Sequence, residues 1–421
     1  MNVAFYNHTS VVSGAEISLL LTAGHLQHAH AILFAPEGEL TDRAEASGIQ
    51  VVHIPSYRAR LTKNPLRLMK DMIGMLWAGY AFTRALKTHQ IDLIHANSLR
   101  AGIMAAMFSW LHRKPLVWHV RDNPPQGLMG QAIKLTANYT ADAVIGISQA
   151  VLDAFNRAKL RGRLHLIHNG VSLQEFAKGD KKVHRERLRE ELSTPREVPV
   201  LVVIGQIAQW KRQEDALHAL RNLRKSGYNA YLWIVGEAKF RQENQEYGDY
   251  LHKLAEQFEL QPYIRFTGFR KDVMEICCAA DLLLLCSDNE PFGRVLIEAM
   301  SQSIPVVGTN AGGVPEIVVH DSCGLLFEVG DVNKLTMHVS KLLQYPYLRL
   351  TMGQRAAERV KEMFTIQNTV EKVEALYKLL VPERKTIENA DRLETNQGEE
   401  VSDEAIESGD RSRLFESNGR R

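Results

Sequence analysis

The stretch 282-LLLLCSDNEPFGRVLIEAM-300 decides which fold the rest of the chain can adopt. It opens on five apolar residues, a run short enough for a strand buried on both faces, and the polar residues 287–289 end that run. A helix is predicted to begin near Pro291, because proline is tolerated at a first helical position and apolar residues recur at helical spacing after it. The stretch therefore predicts a strand, a tight loop and a helix N-terminus.

Two glutamates accompany this helix start. Glu290 lies in the loop, and Glu298 follows eight positions later inside the helix. Gly293 permits a ligand to approach the backbone closely, and the free N–H groups of the helix start favour a phosphate. Ionised carboxylates accept hydrogen bonds from sugar hydroxyls. The combination indicates a phosphorylated sugar, although acidic residues near a helix start also serve simply to complement the helix dipole.

Length and composition restrict the class of protein. At 421 residues the chain exceeds the size at which a single core stops growing, so two domains are expected. A formal net charge of +2 gives no support to a nucleic-acid partner. The four cysteines show no C-x-x-C spacing, so neither a zinc site nor a disulfide framework is expected, and a reducing compartment is indicated.

The chain shows no membrane-spanning pattern. Its start, MNVAFYN, lacks the regions of a signal peptide, and the longest apolar stretch, residues 72–82, is too short to cross a bilayer. A cytoplasmic location is expected. Peripheral contact with the inner face of the cell membrane is a further hypothesis, because basic residues alternate with apolar ones at Arg58, Arg60, Lys63, Arg67 and Lys70. The alternative is a helix that packs its apolar side on a sheet and leaves the basic residues in water.

The rest of the chain repeats one pattern of secondary structure. Strands and helices alternate from Val3 to Ile147, which predicts a doubly wound, mostly parallel α/β sheet. The same alternation restarts at Val200 and continues to Thr309, so two similar α/β domains are predicted. An Asn-Gly turn signal at residues 169–170 separates them and suits a hinge.

Several loops at predicted strand ends carry groups suited to a phosphorylated ligand. Lys211 would neutralise a diphosphate, and the adjacent Gly312 and Gly313 permit a backbone whose N–H groups converge on an anion. Ordinary alternatives are a surface lysine and a plain strand-to-helix turn. Because all these loops leave the carboxyl ends of one predicted sheet, we expect them to face one crevice.

These residues resemble the retaining nucleotide-sugar glycosyltransferases of family 4. Members of that family have the GT-B fold, in which two Rossmann-like α/β domains face an interdomain cleft. The resemblance covers residues 2 to about 380 and leaves out the tail. The matching features, in chain order, are residues 13–16, 169–171, Lys211, residues 236–237 and 266–269, the Glu290 to Glu298 motif, and residues 312–316 and 324–327.

The resemblance implies a division of the chain. Residues 1–170 would form the acceptor-binding domain and residues 171–363 the donor-binding domain. Residues 364–381 would form a helix that returns to the N-terminal domain. Residues 382–421 are polar and mixed in charge, and we predict that they are disordered.

The resemblance also implies roles for single residues. Glu290 would contact hydroxyls of the donor sugar, Glu298 would hold the ribose, Lys211 would stabilise the leaving diphosphate, and His119 would lie beside the donor sugar. The implied catalytic residues are His119, Lys211 and Glu290. The implied donor-binding residues are Gly14, Ala15, Gln206, Lys211, Glu237, Glu290, Phe292, Gly293, Arg294, Val295 and Glu298.

One position departs from the family pattern. The family usually has an arginine in the loop before the lysine, and this chain has Gln206 there. A glutamine donates a hydrogen bond but brings no charge, so Lys211 or the nearby Arg294 would carry more of the anion stabilisation. The sequence has no clear Asp-x-Asp motif, so no metal ion or other cofactor is expected.

The implied activity is transfer of a sugar, with retention, from a nucleoside-diphosphate sugar to an acceptor hydroxyl. The acceptor would be a sugar, a glycolipid or a polysaccharide, as in polysaccharide, lipopolysaccharide or glycolipid biosynthesis. Two alternatives stay open: a GT-B sugar-nucleotide 2-epimerase and a non-catalytic nucleotide-sugar-binding protein. A dinucleotide-dependent oxidoreductase is disfavoured, because residues 7–14 do not supply G-x-G-x-x-G.

Overall fold

The computed structural model describes residues 1–57, 65–173, 180–239 and 241–382, without the side chains of residues 65, 67 and 68. Residues Met1–Val381 form one compact unit that contains two parallel sheets. Two of the sequence predictions fall outside the described residues. These are the basic residues Arg58, Arg60 and Lys63 with the side chain of Arg67, and, from residue 383 onward, the tail for which disorder is predicted.

The N-terminal sheet has seven strands in the described residues, in the order β3-β2-β1-β4-β5-β6-β7, and each neighbouring pair is parallel. Its strands are β1 Asn2–Tyr6, β2 His30–Ala35, β3 Gln50–His53, β4 Leu93–Ala96, β5 Leu116–Val120, β6 Ala143–Gly146 and β7 Leu164–Leu166. The helices that alternate with them are α1 Gly14–Gly24, α2 Glu39–Ala46, α3 Pro65–Leu86, α4 Leu99–Ala106, α5 Ser109–His112, α6 Gly127–Thr140 and α7 Gln149–Leu152.

The second sheet has six strands in the described residues, in the order β10-β9-β8-β11-β12-β13, again parallel throughout. Its strands are β8 Val200–Ile204, β9 Tyr231–Val235, β10 Ile264–Gly268, β11 Leu282–Leu285, β12 Val306–Thr309 and β13 Gly324–Phe327. The remaining helices are α8 Lys181–Glu191, α9 Gln213–Lys225, α10 Gln242–Gln257, α11 Val273–Ala279, α12 Arg294–Ser301, α13 Val314–Ile317, α14 Val332–Gln344, α15 Pro346–Met363 and α16 Ile366–Leu380.

This architecture confirms the predicted fold class of two doubly wound α/β sheets. The strands read as near-continuous apolar runs because helices cover both faces of a parallel sheet, and all four residues of β11 are buried. The strand order reverses between β1 and β4 in one sheet and between β8 and β11 in the other. Ligands of such sheets bind outside the strand carboxyl ends at these switch points.

The structure of residues 282–300 differs from the prediction in one detail. The helix α12 begins at Arg294, and not near Pro291 as predicted. Gly293 precedes it with a φ of +93°, a left-handed conformation that interrupts helical geometry and that glycine adopts readily. The loop after β11 is therefore three residues longer than predicted, and it carries Glu290 away from the helix.

The chain crosses between the two sheets twice, at neighbouring points. The N–H of Val171 donates to the carbonyl of Phe364, and the N–H of Ile366 donates to the carbonyl of Val171, both at 2.9 Å. Gly170 fits closely at this crossing, because a Cβ there would lie 2.4 Å from the Thr365 carbonyl oxygen. The described segments thus tie the linker at residue 170 to the start of α16.

After the second crossing, α16 packs against the N-terminal sheet. Its residues Val373, Leu376 and Tyr377 are buried in one cluster with Phe5 of β1 and Leu19 of α1. The domain boundaries at residues 170 and 363 stay predictions, whereas the contacts of α16 are direct observations of its packing.

Candidate active site

Two switch-point loops of the second sheet bring together the predicted lysine and glutamate. Lys211 follows β8 and Glu290 follows β11, and the Lys211 Nζ atom lies 2.6 Å from Glu290 Oε2. The Ser287 hydroxyl donates to the same carboxylate oxygen at 2.9 Å. Both charged side chains are mostly buried, with 15% and 10% of their area exposed, so water screens the pair weakly. The result is a fixed positive and negative charge at the end of adjacent strands.

The backbone of Glu290 is supported by the glycine pair after β12. The N–H of Gly313 donates to the Glu290 carbonyl at 2.8 Å. Gly312 has a φ of +59°, and a Cβ there would lie 2.2 Å from the same carbonyl oxygen. In the free protein the two glycines therefore hold the loop of Glu290, a structural task that the sequence prediction of an anion cradle did not include.

The start of α12 faces the start of α1 across the two halves of the unit. Arg294 Nη1 lies 3.5 Å from Ser18 Oγ and 3.5 Å from the Gly170 carbonyl oxygen. A Cβ at Gly14 would lie 4.0 Å from Arg294 Cδ. The structure thus places Gly14, the neighbouring Ala15 and Arg294 together, as the sequence predicts for residues that close on a diphosphate.

Arg294 also contacts the second predicted glutamate. Its Nε atom lies 2.7 Å from Glu298 Oε1, one turn further along α12. Among the described residues the Arg294 Nε–H group has no hydrogen-bond partner, so this contact is an ion pair in which the N–H is not aimed at the oxygen. The pair adds a second fixed couple of opposite charges beside Lys211 and Glu290.

Gln206 and Glu237 have partners in a different loop, the one that leads from β9 to α10. The Gln206 amide donates to the Lys239 carbonyl at 3.0 Å, and Glu237 lies 2.5 Å from Lys239 Nζ. The structure therefore does not bring these two predicted donor-binding side chains onto the Lys211–Glu290 pair. The Gln206 side chain connects the end of β8 to the loop between β9 and α10 through this hydrogen bond.

Phe292 and Val295 face the protein interior. The Phe292 side chain is buried and stacks on His168 at 5.8 Å between ring centroids, with Phe364 at 6.1 Å. Val295 is half-buried and packs against the same core cluster. The Phe292 side chain is therefore enclosed in the core, and a ligand contact of the Phe292 backbone stays a prediction.

On the N-terminal side, a buried arginine lies at the carboxyl end of β5. Arg121 donates to Asn97 Oδ1 at 2.6 Å, to Asn169 Oδ1 at 2.7 Å and to His119 Nδ1 at 3.3 Å. All three partners are neutral. Burial lowers the pKa of Arg121 to about 9, so the guanidinium remains charged at neutral pH. The Glu16 carboxylate interacts with this buried charge and partly balances it.

His119 belongs to a chain of three buried side chains. His119 Nδ1 lies 2.9 Å from His95 Nε2, and His95 Nδ1 lies 2.7 Å from the Tyr377 hydroxyl oxygen. Burial lowers the pKa of His95 to about 3 and lowers that of His119 well below its usual range, so both rings are neutral at neutral pH. In the described part of the chain, His119 Nε2 has no hydrogen-bond partner.

Sequence reasoning missed Arg121, His95 and Tyr377 as members of this network. Arg121 follows His119 by two residues, a spacing that puts both side chains on one side of an extended segment, and this signal was available. The sequence contains no signal that links His95 to Tyr377, because they lie 282 residues apart and meet only when α16 packs on the sheet.

The described residues offer neither a metal cluster nor a membrane-spanning helix. Among the described residues, no cluster of three or more His, Cys, Asp or Glu side chains is arranged to hold a metal ion. The expectation that no metal is required stays a prediction. Within the same residues, no helix combines the length and apolar character needed to cross a bilayer.

Comparison with known proteins agrees with this geometry. Residues 12–175 match the family model described as Glycosyltransferase Family 4, and residues 184–359 match the model described as Glycosyl transferases group 1. The chain belongs to these glycosyltransferases. The resemblance stated from the sequence is therefore confirmed, and the two matches cover β2 to β7 of the first sheet and all the described strands of the second sheet of this glycosyltransferase.

Curated relatives and a solved structure extend the comparison. N-acetyl-alpha-D-glucosaminyl L-malate synthase of Bacillus anthracis is 28% identical over 238 residues, covering 56% of this glycosyltransferase and 59% of the relative. Lipopolysaccharide core biosynthesis glycosyltransferase LpsE of Rhizobium meliloti is 27% identical over 177 residues, covering 42% and 49%. The chain thus spans only about half of the length of these curated relatives.

A crystal structure of Anabaena HepE in complex with UDP-glucose matches over a longer range. Its TM-score is 0.78 at 26% identity, and the match covers 90% of this glycosyltransferase and 100% of HepE. The GT-B arrangement of the two sheets is therefore shared over the whole of that protein.

A prediction follows from the support of the Glu290 loop. Gly312→Ala should lower the free energy of unfolding by more than Gly48→Ala, because Gly312 combines a positive φ with a close backbone contact. At Gly48 the φ is +76°, but apart from its chain neighbours no atom of the described residues would lie within 4 Å of an added Cβ, so that variant measures the backbone strain alone, about 1–2 kcal/mol. Urea unfolding of both variants provides the comparison. Equal losses of stability would show that the contact between Gly312 and the Glu290 loop is unimportant.

Proposed function

We propose that this glycosyltransferase moves a sugar from a nucleoside-diphosphate sugar to an acceptor hydroxyl with retention at the anomeric carbon. The observation that carries the proposal is the Lys211–Glu290 pair at the β8–β11 switch point, with Arg294 reaching from α12 to α1. This arrangement offers positive charge for a diphosphate and a carboxylate for sugar hydroxyls within one small region.

Each charged side chain has a separate task in the proposed donor complex. Glu290 accepts hydrogen bonds from sugar hydroxyls, and Glu298 accepts them from the ribose. Lys211 and Arg294 exchange their present carboxylate contacts for shared contacts with the diphosphate, supported by the starts of α1 and α12. Because Gln206 brings no charge, Lys211 and Arg294 supply the positive charge that the second sheet offers to the diphosphate.

The proposed reaction needs no enzyme nucleophile. The bond between the anomeric carbon and the diphosphate oxygen breaks, and a bond from the acceptor oxygen forms on the same face of the sugar. The acceptor proton passes to the departing diphosphate. Lys211 and Arg294 stabilise the charge that develops on that leaving group, and their fixed positions in a weakly screened site make this stabilisation effective.

The comparisons support a first choice of substrates. HepE was crystallised with UDP and with UDP-glucose, so uridine diphosphate sugars are the first donors to test. Several relatives carry names of lipopolysaccharide core and capsular polysaccharide biosynthesis. We therefore propose a glycan or glycolipid acceptor for this chain.

The test is turnover of UDP-sugars by the full chain and by variants that remove one charge each. Glu290→Gln and Lys211→Met should each lower kcat by about 100-fold, the usual loss when one group that stabilises transition-state charge is removed. Glu256→Gln and Lys253→Met change the same residue types at exposed positions of α10 and should leave kcat unchanged.

Product analysis separates the alternatives. A transferred sugar with retained configuration supports the proposal, an epimerised nucleotide sugar supports a 2-epimerase, and a thermal shift without turnover supports a binding protein. Wild-type turnover in both charge variants would contradict the roles assigned to Glu290 and Lys211.

A further inference from the structure

One helix of the N-terminal half is apolar on two faces. The inner face of α3 places Ala78, Phe82 and Leu86 in the buried core. Its outer face carries large apolar residues at helical spacing, each between 43% and 59% exposed: Met69, Met72, Ile73, Leu76, Trp77 and Tyr80. A surface helix normally has a polar outer face, so this stripe is suited to contact with something other than water.

Neighbouring helices continue the stripe. The Tyr80 ring lies 6.1 Å from the Phe108 ring, and Phe108 leads directly into α5 with its exposed Trp110. Trp110 and Tyr139 of α6 line one groove. The outer stripe of α3 and these exposed residues of α5 and α6 are here called the apolar face, which also includes Leu128 and Leu135.

The exposed charged residues on the helices of the apolar face are basic, and one exposed acidic residue that follows α6, Asp142, lines the same groove as Trp110 and Tyr139. Lys70, Arg84, Arg113 and Lys114 are exposed on α3 and at the end of α5. The sequences of α3, α5 and α6 contain one acidic residue, Asp71, and it is buried and accepts a hydrogen bond from the Tyr57 hydroxyl at 2.8 Å. The solvent-facing charge of these helices is thus purely basic.

We propose that the apolar face rests on an anionic lipid bilayer. Tryptophan and tyrosine have an apolar ring and a polar tip, which suits the boundary between head groups and acyl chains. The basic residues beside them complement anionic head groups. This surface consists of described helices and shares Met69, Lys70, Met72 and Trp77 with the segment for which the sequence suggested membrane contact, but it extends that segment to α5 and α6.

Vesicle sedimentation of the full chain tests the surface. Wild-type protein should pellet with phosphatidylcholine vesicles that contain phosphatidylglycerol, and less at high salt. The double variant Trp77→Glu and Trp110→Glu should lower the partition coefficient by at least about 10-fold, since it removes two interfacial anchors and adds two repelling charges. Tyr347→Glu, at an exposed position of α15, is the matched control and should pellet like wild type.

Two results would overturn this proposal. One is equal pelleting of the double variant and the control while both keep wild-type thermal unfolding. The other is a wild-type dimer in sedimentation velocity that the double variant abolishes, without vesicle binding by either, which would assign the apolar face to a second copy of this chain.

A separate observation concerns the protons of the buried histidine chain. Arginine only donates hydrogen bonds, so the contact of Arg121 with His119 requires His119 Nδ1 to be an acceptor. The neutral His119 ring must then carry its hydrogen on Nε2. His95 Nε2 must donate to His119 Nδ1, and His95 Nδ1 must accept from the Tyr377 hydroxyl. Arg121, which can only donate, thus fixes the position of each proton in the hydrogen-bond chain of His119, His95 and Tyr377.

We infer that Tyr377 and His95 are positioning residues that hold His119 as an Nε2–H donor toward a substrate oxygen. His119 Nε2 is buried without a partner in the described residues, and leaving such a donor unsatisfied is costly. A sugar oxygen bound there would accept this hydrogen bond. The substrate part of the inference rests on the proposed function, whereas the tautomer itself is a property of the free protein.

Nitrogen-15 NMR of the histidine-labelled full chain tests the tautomer. Wild-type His119, assigned by its loss in His119→Gln, should show a protonated Nε2 and an unprotonated Nδ1. Tyr377→Phe removes the hydroxyl that donates to His95 and should produce a mixture of tautomers at His95 and His119. Tyr6→Phe is the matched control, because Tyr6 is equally buried but its hydroxyl lies 3.5 Å from the Met104 sulfur and not beside a histidine.

Kinetics tests the functional part. Tyr377→Phe should lower kcat by about 10-fold, near the value of one hydrogen bond, with little change in donor affinity. An unchanged tautomer in Tyr377→Phe would overturn the relay even if the chain proved not to transfer sugar. A changed tautomer with wild-type kcat in an active enzyme would overturn its role in positioning.

Discussion

The contact between Lys211 and Glu290 depends on the topology of the second sheet. Parallel strands end on the same side, and the reversal of strand order at β8 and β11 leaves their two loops side by side. An ion pair in such a half-buried place gains little net stability, because desolvation opposes the attraction. Its value lies in charge that is already in position before a ligand binds, and the glycines after β12 hold the loop that carries it.

The N-terminal half arranges its polar groups differently. Its site contains a charged guanidinium surrounded by two amides and an imidazole, with no carboxylate among those three partners. Neutral partners orient Arg121 through hydrogen bonds, while the Glu16 and Asp122 carboxylates interact with its charge without accepting those hydrogen bonds. One half of the unit therefore holds directly paired charges, and in the other half the guanidinium is hydrogen-bonded to neutral groups with two carboxylates near it.

The sequence was sufficient to predict the fold, because the buried strands of a parallel sheet appear in the sequence as short apolar runs between helical patterns. Residues 282–285 are an example. It was also sufficient for Lys211 and Glu290, since both lie in loops at strand ends. It failed where a residue's task depends on distant packing. Gln206 donates to the Lys239 carbonyl, and Tyr377 reaches His95 from the far end of the chain.

The return of α16 has a consequence for the order of synthesis. The ribosome completes the strands that carry His95 and His119 long before it makes Tyr377, and the whole second sheet emerges in between. Until then the apolar patch of β1 and α1 that α16 covers stays open, together with one end of the histidine chain. The N-terminal half therefore completes its packing only after the second half has been synthesised. A fragment that ends at residue 170 would lack α16 and the Tyr377 hydroxyl that contacts His95.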